Sequence, residues 1–179
     1  LFELIMMTMR RERTKKMVLI ANFLAIAIVL NIIESMITII PVPGAKIGFA
    51  NIVTLIIIYI YGYKEAVAVT LLRVFLVAIL SPRGLGPTFY LGISGAALSL
   101  TVMCIVHRLN LFGKVGVSVL GAFSHSIGQI IAAIFVIGSA AVVTYLPIML
   151  FVSIPAGFLT GVIALKFIDV WTSTHNEKT

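Results

Sequence analysis

Apolar runs of helical length recur along this sequence, the first of them the 24 residues from Met17 to Ile40. A helix needs about 20 such residues to cross a hydrocarbon core roughly 30 Å thick. The runs are too long and too continuous for the ~10-residue alternating strands of a membrane β-barrel, so the spans are read as helices. Composition agrees. Of 179 residues, 61% are hydrophobic and 11% charged, with a mean hydropathy of +1.19. A water-soluble domain carries about 25% charged residues, which excludes that class.

The pattern predicts an all-α membrane protein with six transmembrane helices over roughly 17–40, 49–63, 65–80, 88–107, 115–138 and 146–168. Residues 1–16 form a basic N-terminal segment, 17–168 the transmembrane domain and 169–179 a tail. The first run is longer than the hydrophobic stretch of a signal peptide and ends in Pro-Val-Pro-Gly without a small-residue cleavage site, so it is expected to be retained. Tyr61-Gly62-Tyr63-Lys64-Glu65 predicts a tight antiparallel turn. Pro147 suits the first turn of the last helix, and Pro155 predicts a kink within it.

The net charge of +7 is not the patch of a nucleic-acid binder. Arg10, Arg11, Arg13, Lys15 and Lys16 precede the first apolar run, as in a cytoplasmic anchor. With the N-terminus inside, Lys64, Arg108, Lys114, Lys166 and Lys178 join them, against Lys46 and Arg83 outside. Both termini are therefore expected in the cytoplasm of a bacterial cell, with the chain multi-pass in its cytoplasmic membrane. Cys104 is the single cysteine, so no internal disulfide or multi-cysteine metal site is available.

Polar groups inside the spans are costly and mark packing or function. Asn31 and Glu34 share a face of the first span, and His125 and Gln129 a face of the fifth, with Ser124 and Ser126 beside them. Asn51 opens the second span, Arg73 lies near mid-depth of the third, and Tyr90, Ser94 and Ser99 belong to the fourth. Asn31 and Ser94 fit interhelical hydrogen bonding as well as ligand contact. Glu34 and Arg73 fit a mutual buried ion pair as well as a binding site. Taken together, Asn31, Glu34, Lys46, Asn51, Arg73, Arg83, Tyr90, His125 and Gln129 read as a substrate site, with three cations against one carboxylate favouring an anionic group on an apolar body. No catalytic residues, metal or cofactor are expected. No phosphate-binding glycine loop is present, and the chain's single Asp cannot make the aspartate pair that holds magnesium in prenyl-diphosphate chemistry.

Small residues recur at four-residue spacing in Ala21-x-x-x-Ala25, Gly128-x-x-x-Ala132 and Gly157-x-x-x-Gly161, which permits close helix approach within the bundle or with a partner. The stretch PVPGAKIGFAN, residues 41–51, ends the first span and returns the chain. Its Lys46 and Asn51 are expected to face the polar cluster, as a lid over it.

Three segments, PVPGAKIGFANIVTLIIIYIYGYKEAVAVTLLRVFL (41–76), LGISGAALSLTVM (91–103) and LGAFSHSIGQIIAA (120–133), resemble a bacterial membrane family known as the Gx transporter or heptaprenyl diphosphate synthase component I family. That family is similar to the substrate-binding S components of energy-coupling factor importers. The resemblance implies a transmembrane coupling protein and two cytoplasmic ATPases as partners, Ala21 and Ala25 as the docking motif, and 41–51 as the gating loop. The bilayer and a small-molecule substrate, such as a quinone or isoprenoid precursor or a vitamin-like compound, complete the expected partners, without nucleic acid. Two other readings stand beside it: a membrane accessory subunit of heptaprenyl diphosphate or menaquinone biosynthesis, and a secondary transporter with Glu34 or His125 as proton carrier.

Overall fold

A computed structural model describes residues 2–36, 46, 48–81 and 84–176. Among these, six α-helices, one 3-10 turn and no strand are found: α1 (Phe2–Met36), α2 (Asn51–Ile60), α3 (Tyr63–Leu80), α4 (Pro87–Arg108), α5 (Lys114–Ile137) and α6 (Leu146–Asn176), with the 3-10 turn at Ala140–Tyr145 leading into α6. Four helical stretches, Met9–Met36, Pro87–Arg108, Lys114–Ile137 and Ala140–Thr174, are long and apolar enough to cross a membrane. The chain is thus an all-helical, multi-pass membrane protein.

The helix ends differ from the hydropathy reading in informative ways. Helix α1 runs through the basic segment to Phe2, because Arg, Lys and Glu are good helix formers even where they are poor membrane residues. Helix α6 likewise continues to Asn176 and passes through Pro155 as one helix, with Pro147 in its first turn. The largest difference is α2, which has only 10 residues and rises about 15 Å. It is too short to cross alone.

That short helix is the centre of the bundle. It touches each of the other five α-helices, while α1, α3, α4, α5 and α6 succeed one another around it. Its own sequence, NIVTLIIIYI, is apolar on every side, and Val53, Leu55, Ile56, Ile57 and Ile58 are all buried. An all-round apolar helix has no face to offer water and so belongs in a core. The turn to α3 is made by Tyr61 and Gly62, whose N–H groups both donate to the Ile57 carbonyl, with Gly62 at φ 98°.

Helices α4, α5 and α6 pack closely because glycines let their backbones meet. A side chain on Gly128 would come within 2.7 Å of the Ser94 carbonyl oxygen, and one on Gly157 or Gly161 within 2.9 Å of Val119 or Val115 backbone. The glycines of those two motifs therefore serve packing inside the bundle. Ser94 donates across the same α4/α5 contact to the Gly128 carbonyl at 2.7 Å.

The middle of α1 and the C-terminal half of α6 meet beside the α2–α3 turn. There Phe23, Tyr61, Phe167 and Trp171 form a ring cluster that bridges α1 and α6. Lys16 pairs with Glu65 and sits over the Tyr61 ring, and Lys114 pairs with Asp169.

Candidate ligand-binding site

The N-terminus of α2 begins inside the bundle. Asn51 lies against Ser99 in the middle of α4 and His125 in the middle of α5, donating from Nδ2 at 3.0 Å to Ser99 Oγ and approaching His125 Nδ1 at 3.4 Å. Helix α2 therefore fills only the half of the interior nearer the chain termini. Lys46 and Gly48–Ala50 enter the other half as irregular backbone, which membrane proteins tolerate only where protein or a cavity covers it.

Side chains from two helices satisfy that backbone. From α1, a Glu34 carboxylate oxygen accepts the Gly48 N–H and, at 3.3 Å, the Phe49 N–H. From α5, Gln129 Oε1 accepts the Lys46 N–H at 3.1 Å. Lys46 Nζ donates to Asn31 Oδ1. Gly48 holds φ 94°, and a Cβ there would meet Asn51 Nδ2 at 3.1 Å, so both its backbone angle and the space around it favour glycine. Glu34 also stands at the N-terminal, positive end of the α2 dipole, where a carboxylate is favoured.

The Asn51 amide nitrogen faces His125 Nδ1 and leaves the ring's Nε2 turned away from it. That Nε2 and the Gln129 Nε2 are buried without hydrogen-bond partners among the described residues. Both side chains pack on α4 at Gly95, where an added Cβ would lie 3.0 Å from the ring and 2.9 Å from Gln129 Cγ.

Arg73 is the outlier. It is 2% exposed, lies midway along α3, and its Nε has no partner among the described residues. Its guanidinium is near enough to Glu34 and His125 to act on both electrostatically, yet it makes no ion pair within 4 Å with Glu34. Of the two alternatives the sequence left open for Glu34 and Arg73, the direct ion pair is not formed, and the carboxylate instead accepts backbone N–H groups. A cation left so in a low-dielectric interior costs several kcal/mol unless something supplies the opposite charge.

Asn31, Glu34, Lys46, Asn51, Arg73, His125 and Gln129 are thus gathered around one segment. Tyr90 is not among them: it is 53% exposed near the start of α4, its ring against Phe89. Arg83 and most of the 41–51 stretch lie outside the described residues. Ser124 and Ser126 bond carbonyls of their own helix. Ser99 and Gly48 belong to the site and were not counted in it from sequence; the Lys-x-Gly-x-x-Asn spacing was the available signal. Ala21 and Ala25 are exposed on α1, and so is Asn22 beside them, a polar side chain within an apolar run.

The fold and site define a class: a membrane-embedded helical bundle with a buried polar cluster in one half of its interior. A family model for heptaprenyl diphosphate synthase component I matches residues 23–167, and the chain belongs to that family. No curated protein and no solved structure matches it.

Proposed function

We propose that the chain is the substrate-binding subunit of an energy-coupling factor type importer, capturing a small amphipathic anion at the outer face of the bacterial cytoplasmic membrane. The observation that carries this reading is Arg73, buried at mid-depth with its Nε unpartnered among the described residues, beside a segment whose backbone is held by Glu34 and Gln129 and whose Lys46 side chain bonds Asn31. A buried ionisable group of this kind in a spanning helix marks a ligand path. The ligand's anionic group meets Arg73, and its apolar body lies along the Ile, Leu and Phe side chains around it. Lys46 and Gly48–Phe49 act as the gate, released when their side-chain acceptors let go.

Six passes with both termini cytoplasmic follow from the distribution of basic residues. Helix α2 and the described residues before it make the second pass. The protein is not itself an enzyme. Ala21 and Ala25, exposed with Asn22, dock on a transmembrane coupling protein served by two cytoplasmic ATPases, since a polar residue facing lipid gains from a partner helix. Affinity purification from native membranes tests this: the coupling protein and ATPases are expected with the tagged chain.

The family description favours a second reading, a membrane accessory subunit of heptaprenyl diphosphate synthesis. It predicts recovery of a soluble prenyltransferase in the same purification, and loss of prenyl product when the chain is deleted.

A further inference from the structure

The chain contains six carboxylate side chains: Glu3, Glu12, Glu34, Glu65, Asp169 and Glu177. Glu12, Glu65 and Asp169 are paired with Lys15, Lys16 and Lys114 away from the site. Glu3 lies in the first turn of α1 and Glu177 follows α6 in sequence. Among the described residues, Glu34 is therefore the one side-chain carboxylate at the site, and it faces two cations, Lys46 and Arg73. The residues 37–45 and 47 contain no ionisable side chain, and Arg83 lies outside the described residues. Among the described residues, the set Glu34, Lys46 and Arg73 holds one more cationic side chain than acidic.

The second receptor for an anion in the site is already taken. Backbone N–H groups at a helix N-terminus are a ready anion site, but those of Gly48 and Phe49 are held by Glu34, and those of Asn51 and Ile52 by the Gly48 and Phe49 carbonyls. Arg73 is left to receive the ligand, and a guanidinium matches a carboxylate in a planar, two-bond geometry.

We infer that the site selects a singly charged head group, a carboxylate, and discriminates against a diphosphate, with Glu34 as the residue that sets this preference. The inference rests on the proposed role in ligand capture. A diphosphate would bring two or three negative charges to the one surplus cation among the described residues, beside the Glu34 carboxyl group in a weakly screening interior.

Binding to the purified full-length protein in detergent tests it with three probes: 2-naphthoate, the neutral 2-naphthamide, and geranyl diphosphate. Wild type is expected to bind the acid at least about tenfold more tightly than the amide, as a charge-assisted bidentate contact provides, and more tightly than the diphosphate. Arg73→Met should level acid and amide, while Arg73→Lys keeps part of the difference, with thermal unfolding of both variants checking that they fold. Glu34→Gln keeps an acceptor for the Gly48 N–H but removes the charge, and should shift the acid-to-diphosphate ratio toward diphosphate by about tenfold or more. A wild type with no acid-over-amide difference, one that binds geranyl diphosphate more tightly than the acid, or a Glu34→Gln ratio that does not move overturns the inference. These outcomes are separate from the importer reading, which stands or falls on the partners recovered from membranes.

Discussion

Glu34 shows how one side chain decides what its neighbours can do. By taking the Gly48 and Phe49 N–H groups it seats irregular backbone in the bundle interior and also declines the ion pair with Arg73. Gly48 is the other half of the device. Replacing it with Ala forces an L-residue to φ 94° and a Cβ to 3.1 Å from Asn51 Nδ2, so Gly48→Ala should lower stability by about 1–3 kcal/mol. Gly92 has no positive φ and no atom within 4 Å of an added Cβ, so Gly92→Ala should stay within about 0.5 kcal/mol of wild type. Thermal unfolding of the three proteins in one detergent checks both values. Equal losses for the two substitutions would mean that the 48 position is not specially constrained.

Among the elements, the α4/α5 contact is set by backbone approach. Gly128→Ala would place a Cβ 2.7 Å from the Ser94 carbonyl oxygen and 2.9 Å from Gly95 Cα, backbone atoms that cannot swing aside. The cost expected for such overpacking is about 1–3 kcal/mol, and since His125 and Gln129 ride on the same contact, ligand binding should weaken with it. Lys114→Ala, which breaks an exposed pair with Asp169, should cost no more than about 1 kcal/mol. Most of the helices were legible in the sequence, because continuous apolar runs need no tertiary knowledge. The start and depth of α2 were not. Its apolar run begins near Gly48, but whether Gly48–Ala50 joins the helix depends on a carboxylate 14 residues earlier in the chain, and hydropathy is blind to that capture. Arg73, His125 and Gln129 were visible as costly residues in apolar runs. Tyr90 lies exposed and apart from the cluster, and its polar hydroxyl says nothing about which side of α4 faces inward.

For the whole molecule, the account separates capture from assembly. The polar cluster uses buried side chains of α1, α3, α4 and α5 together with the start of α2, whereas Ala21, Asn22 and Ala25 lie exposed on α1. Ala21→Leu with Ala25→Leu should therefore abolish recovery of the coupling module and uptake in cells, while the purified variant binds ligand as wild type does. Arg73→Met should do the opposite, leaving assembly intact and emptying the site. A pair of variants failing in the same assay would merge the two surfaces into one.

Native mass spectrometry of the tagged complex taken from its own membranes tests the central claim most directly, because one spectrum reports both ligand and partners. The expected result is the chain with a coupling protein, two ATPases and a small anionic adduct, the adduct disappearing in Arg73→Met while the subunits remain. A wild-type spectrum that shows the chain with a soluble prenyltransferase and no coupling module, or an adduct that persists unchanged in Arg73→Met, would contradict it.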